Sequence, residues 1–202
     1  MKKSINVPRV TNFEELERFA SDTIECINWQ EYPYKPTVRF RIAHNGSAVL
    51  VRFDVEETHT KAVCTNTNGP VWEDSCVEFF VKEPNAPHYF NFETNCIGVG
   101  LAAKRLSRTE CTHLSEEEQS AIVRRSSLPK KPCDMANGVW NLELEVPFAV
   151  LGIEGVPEVL EANLYKCGDG TTPMHFVSWS PIGVTSPDFH RPEWFGKLIF
   201  EQ

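Results

Sequence analysis

The chain has 202 residues, 41% hydrophobic and 24% charged, which suits one soluble domain with a sizeable core. Its net charge of −8 argues against a polyanionic partner, because nucleic-acid binding rests on basic surface. The opening "MKKSINVPRVTNFEELERF" has two lysines and no apolar run behind them, so as written it reads as neither a signal peptide nor a membrane span.

Residues 1–34 read as an N-terminal extension carrying one short helix packed on the domain, and 35–202 as the domain itself. In "TNFEELERFAS", Asn12 is placed to cap a helix with Glu14 and Glu15 in its first turn. Strict alternation then takes over. In "TVRFRI", Val38, Phe40 and Ile42 share one face and Arg39 and Arg41 the other. In "AVLVRFDV", Val49, Val51, Phe53 and Val55 oppose Arg52 and Asp54. Further strands are expected at Ser75–Lys82 and His88–Cys96. "SEEEQSAIVRRS" has the capping-box spacing Ser115 to Glu118 and reads as a second surface helix ending in arginines. The basic run "VRRSSLPKKP" reads as its solvated end and a loop. "VWNLELEV" alternates Trp140, Leu142, Leu144 and Val146 with polar residues. Ala162–Cys167, Met174–Trp179 and Lys197–Phe200 complete the strands, with turns expected at Asn45-Gly46, Asn137-Gly138 and Gly168–Gly170. The expected fold is all-β: an antiparallel β-sandwich of immunoglobulin-like or jelly-roll type with one or two short surface helices.

Two segments draw attention for chemistry. "GPVWEDSCVEFFVKEP" places Trp72 in a turn at the mouth of a strand. If Val77, Phe79 and Val81 face the core, Glu78 lies on the opposite face. An indole beside a carboxylate suits a sugar, the ring stacking on C–H groups while the carboxylate accepts from hydroxyls. A half-buried Trp covering a core and a solubilising Glu are the plainer alternatives. Near the C-terminus, Trp179, Phe189, His190, Arg191, Trp194 and Phe195 crowd a proline-rich loop that either packs down or forms a recognition surface.

The succession "VWEDSCVEFF", "HYFNFETN" and "WSP…DFHRPEWFG" before a final strand resembles the family 9 carbohydrate-binding modules, which belong to the DOMON-like β-sandwiches. The likeness runs from about Lys35 to Gln202. It implies non-catalytic carbohydrate binding linked to breakdown of xylan- or cellulose-type polysaccharides, with a mono- or oligosaccharide ligand held between two aromatic side chains. The residues it assigns are Trp72 and Glu78 from the first stretch, and Phe189 with His190 and Arg191 from the last. Asn163 and Tyr165 come from "ANLYK". Two departures stand out: Phe189 replaces a Trp, which weakens stacking by about 1 kcal/mol, and Glu93 replaces a basic sugar-binding residue. The resemblance requires no cofactor but implies structural calcium, for which Glu73, Asp74, Glu143, Glu145 and Asp169 are available acids.

Other readings remain open at this stage. Glu78, Glu93 and Glu145 could serve a xylanase-type hydrolase needing carboxyls roughly 5–10 Å apart across the sugar. Haem-binding relatives make Met174 and His175 a candidate axial pair, although adjacent strand residues point to opposite faces. Seven cysteines (26, 64, 76, 96, 111, 133 and 167) show no CxxC spacing, which fits reduced thiols in the cytoplasm. A secreted or periplasmic protein with disulfides is the alternative if the precursor begins upstream.

Overall fold

The period-two segments pair into two facing sheets in a computed structural model that describes residues 2–202. The early strands are Ser4–Val7 (β1), Asp22–Thr23 (β2), Cys26–Ile27 (β3), Thr37–His44 (β4) and Ala48–Ala62 (β5). Cys76–Lys82 (β6), Tyr89–Asn95 (β7), Gly100–Arg105 (β8) and Cys111–His113 (β9) precede the short helix Glu116–Ala121 (α1). Val123–Ser126 (β10), Cys133–Pro147 (β11), Val159–Cys167 (β12), Phe176–Ser178 (β13) and Gly196–Phe200 (β14) follow.

One sheet has five strands in the order β10-β11-β5-β4-β2. The other has nine, in the order β1-β14-β12-β6-β7-β8-β9, with β13 also on β12 and β3 on β13. Pairing is antiparallel throughout except for β1 against β14. The chain is a β-sandwich, as its alternation predicts.

The inward rows are those the sequence marks. Phe40, Phe53, Val51, Leu142 and Val146 from the five-stranded sheet meet Phe79, Phe92 and Leu164 from the other, all fully buried. Each such side chain contributes roughly 1.5–3 kcal/mol by leaving water. On the outer face of the five-stranded sheet, Arg41 and Arg52 pair with Asp54, and Arg52 with Glu143. The core also encloses an ion pair. Lys166 Nζ from β12 lies 2.8 Å from Glu57 Oε2 of β5, both side chains fully buried. Glu57 Oε1 accepts from the Trp140 indole at 2.7 Å, and the Lys166 ammonium donates to His175 Nε2 at 2.8 Å. Burial and the adjacent ammonium push the His175 pKa down to about 3, so this imidazole is neutral.

Three expectations are corrected. The arginines after α1 are not its last turn: the helix stops at Ala121, and Arg124 and Arg125 pair with Leu144 and Glu143 in the sheet, because β11 offers an open ladder edge there. Asn137-Gly138 is not a turn. It is a kink inside β11 (Asn137 φ 53°), since β5 pairs with β11 on both sides of it. Ahead of β4, short strands enter both sheets. β1 and β3 join the nine-stranded sheet and β2 the five-stranded one, by two- to four-residue pairings too short to show periodicity. The expected first helix is a 3-10 turn, Phe13–Arg18, capped by Asn12.

Candidate functional site

The outer face of the nine-stranded sheet departs from ordinary amphipathic patterning. Every residue of β7 and all of β6 but Lys82 are buried, on both faces. In the ladder, Glu78 lies opposite Tyr165 on one side and Glu93 on the other, so these three share the outward row. The next row holds Cys76 and Cys167, directly paired. Loops roof this polar floor and leave a cleft of about 480 Å³. That volume lies within the range of small-molecule sites.

Trp72 stands at the rim because of the turn that carries it. Gly69-Pro70 leads into one 3-10 turn, Val71–Glu73, in which Val71 is fully buried and Trp72 keeps 37% of its surface exposed. The buried Asp74 carboxylate anchors the turn by accepting from Val63 N, Cys64 N and Asn95 Nδ2 at 2.8–3.0 Å. Asp169 N donates to the Trp72 carbonyl and Gly170 N to the Glu73 carbonyl, clipping the turn to the end of β12. A Cβ on Gly170 would stand 2.7 Å from Glu73 O, so only glycine allows that approach.

Another part of the lining comes from residues 187–190. Phe189 stacks on Tyr165, with ring centroids 4.1 Å apart and planes 9° apart, and the Tyr165 hydroxyl donates to the Phe189 carbonyl at 3.1 Å. His190 lies tilted on Phe80 at 5.0 Å and shares a 2.9 Å hydrogen bond with the Tyr89 hydroxyl. Burial, with the Arg105 charge adding, pushes its pKa down to about 4, leaving a neutral ring. Tyr32 and Phe176, in edge-to-face contact at 4.9 Å, add two more aromatic walls.

The floor is acidic. Glu78 and Glu93 each expose only 4% of their surface. Glu78 Oε1 accepts from the Cys167 thiol at 3.1 Å and Glu93 Oε1 from the Asn91 amide at 2.7 Å. Burial lifts the Glu78 pKa well above the carboxylate range, and lifts that of Glu93 to about 7. Burial and the neighbouring Glu73 raise Asp169, at the rim, to about 6. Arg105 lies beside this floor, its Nε donating to Asn91 Oδ1 and its Nη1 to the Arg108 carbonyl.

Of the residues singled out in the sequence, Trp72, Glu78, Glu93, Phe189 and His190 all line this cleft. Three do not. Asn163 is fully buried and spends its amide on Ser180 O and its Oδ1 on Ser180 N, tying β12 to the loop. Tyr165 is also fully buried and acts from beneath, as the platform under Phe189. Arg191 is not part of the lining and pairs with Asp188, which is, at 2.8 Å. The wall residues Tyr32, Phe176 and Asp188, with Arg105 and Arg108, were missed. Tyr32 sits in the presumed extension, and the others carry no local signal without the topology.

The acids considered for calcium do not gather into one site. Asp74 is committed to backbone amides, Glu143 and Glu145 lie on the other sheet, and Glu73 and Asp169 remain as a rim pair. Cys76, Glu78 and Cys167 bring ligand atoms within 4.8 Å of one another. Both thiols keep their protons there: burial raises Cys76 to about 12, and contact with Cys76 together with burial raises Cys167 well above the usual range. Met174 is 41% exposed while His175 is enclosed in the core on Lys166, so they cannot flank one iron. A larger depression of about 540 Å³ beside Gln119 and Arg124 has no aromatic side chain in its wall.

The model of carbohydrate-binding family 9 matches residues 7–200. A crystal structure at 2.70 Å resolution of a "putative carbohydrate-binding protein" from Bacteroides uniformis ATCC 8492 is 35% identical, covers 100% of both chains and superposes with a TM-score of 0.94. A family 9 carbohydrate-binding module from Caldicellulosiruptor kristjanssonii, in complex with glucose, is 11% identical with a TM-score of 0.60, over 98% of this chain and 96% of that one. The module from the same organism in complex with cellotriose gives 10% identity and a TM-score of 0.60, over 98% and 94% of the two chains. No curated protein sequence matches the chain significantly.

Proposed function

The chain belongs to carbohydrate-binding family 9, and on that premise we propose that it binds a saccharide in the Trp72 cleft without transforming it. The observation that carries the reading is a part-exposed indole that lines one 480 Å³ cleft together with Phe189, His190 and two nearly enclosed carboxyls. A pyranose has two apolar C–H faces and a polar rim. Trp72 would stack on a face, and the Phe189 side would close the slot as Tyr165 holds its ring in place. Glu78 and Glu93 would accept from ring hydroxyls. Sites of this kind bind with micromolar to millimolar dissociation constants, about −8 to −4 kcal/mol.

The ligand class we favour is a β-linked plant-type glucan or xylan fragment, as part of a polysaccharide-degrading system. Binding of glucose and cellotriose by the distant Caldicellulosiruptor modules supports the sugar class. A hydrolytic role finds less support. Glu78 and Glu93 are cross-strand neighbours on one floor, whereas a glycosidase pair flanks the scissile bond from opposite sides. Isothermal titration with glucose, xylose and cello- and xylo-oligosaccharides tests the reading. Binding without release of reducing ends supports it, and turnover of the oligosaccharides would replace it with the hydrolase reading.

A further inference from the structure

We propose that the cleft is built for a sugar bearing a positive charge, an amino sugar with a free amino group, its ammonium seated between Glu78 and Glu93. This rests on the carbohydrate reading above and narrows it. The two glutamates lie directly opposite each other on β6 and β7, both nearly enclosed. One oxygen of each is occupied, by the Cys167 thiol and by the Asn91 amide, and among the described residues no protein donor reaches the other oxygen. Like charges in directly opposed strand positions repel, and burial strengthens the repulsion. Burial, the largest cause, raises the pKa of both groups, and the Glu93 charge adds to the rise at Glu78.

A neutral hydroxyl would satisfy one oxygen and leave the pair uncompensated. An ammonium has three donors and a charge, so it can bond to both carboxyls and neutralise the repulsion. Arg105 acts on Glu93 through its charge, but among the described residues no cationic side chain forms an ion pair with either carboxyl. Arg105 is committed to Asn91 and to the Arg108 carbonyl, Arg108 is exposed at the rim, and His190 is neutral. Asp169 adds further negative charge at the rim, while the Asp188 charge is met by Arg191. Trp72 also offers its face to a cation.

The test is calorimetric titration of the full chain with glucosamine, N-acetylglucosamine and glucose at pH 7 and matched ionic strength. N-acetylglucosamine keeps the nitrogen but removes the charge. Glucosamine should bind about tenfold more tightly than either neutral sugar. The ratio should fall toward one in Glu93→Gln, and in the wild type as sodium chloride is raised, a readout that needs no variant. Glucose binding as tightly as glucosamine would overturn the inference and leave the carbohydrate reading standing. Calcium chloride alone giving heat that Glu93→Gln abolishes would overturn it in favour of a metal ion. Failure of all three sugars to bind the folded wild type, with longer oligosaccharides also silent, would remove both.

Discussion

Replacing Trp72 by Ala separates a binding platform from a core residue. The indole leaves 37% of its surface exposed, which on a side chain of up to about 250 Å² is roughly 90 Å² available to a ligand. At about 25 cal/mol per Å², covering that area is worth about 2 kcal/mol, or about thirtyfold in dissociation constant. The fold should lose less. Val71 fills the core beneath, and the turn is held by Asp74 and the backbone bonds to Asp169 and Gly170. A cost of about 1–2 kcal/mol lowers the melting temperature of a domain this size by less than about 8 °C. Calorimetry with the tightest-binding sugar, beside thermal unfolding of the same preparations, reads both quantities. A variant that binds as well as the wild type, or that melts far lower while binding is unchanged in the folded fraction, refutes the platform.

Other outcomes follow from the buried charges and the close turns. The Glu93 pKa is raised from 4.5 to about 7, so the folded state holds a proton the unfolded chain has lost, and stability falls as pH rises through that window. Glu93→Gln should flatten this slope and gain up to roughly 3 kcal/mol over the wild type at pH 8, read from urea midpoints. Glu78 and Asp169 titrate in the same sense, so part of the slope should remain; parallel curves would contradict the assignment. Glu57→Gln strands the Lys166 ammonium in the core and should cost about 3–5 kcal/mol, while Glu57→Gln with Lys166→Met should recover much of it. A single variant as stable as the wild type would show that the pair is dispensable. Gly170→Ala pushes a methyl against the Glu73 carbonyl and should cost about 1–3 kcal/mol while weakening sugar binding, because the Trp72 turn must shift. Unchanged affinity would show that the clip to β12 does not position the indole.

How far the sequence is legible differs by layer. Strands β4, β5 and β11 can be read directly, because one face meets the core and the other is largely polar or charged. The short pairings of β1, β2 and β3 leave no periodic trace, which is why Tyr32 looked remote from a cleft it helps to wall. Trp72 and Glu78 are recoverable because a turn and a pleat fix their relation locally. Asn163, Tyr165 and Arg191 sit on the correct strand or loop, but whether such side chains face ligand or structure depends on what covers them: Ser180, Phe189 and Asp188 claim all three. Arginines after a capped helix look like a helix end, since a sheet edge waiting for β10 has no sequence signature of its own.

The account depends on a saccharide lying against the Trp72 indole. Proton–nitrogen correlation spectra of the five tryptophan indoles during a sugar titration test this most directly, with the Trp72 peak identified by Trp72→Phe. The account predicts that this peak moves with saturating dependence on sugar, while those of the fully enclosed Trp140 and Trp179 stay in place. A saturating sugar that leaves the Trp72 peak unmoved would contradict it.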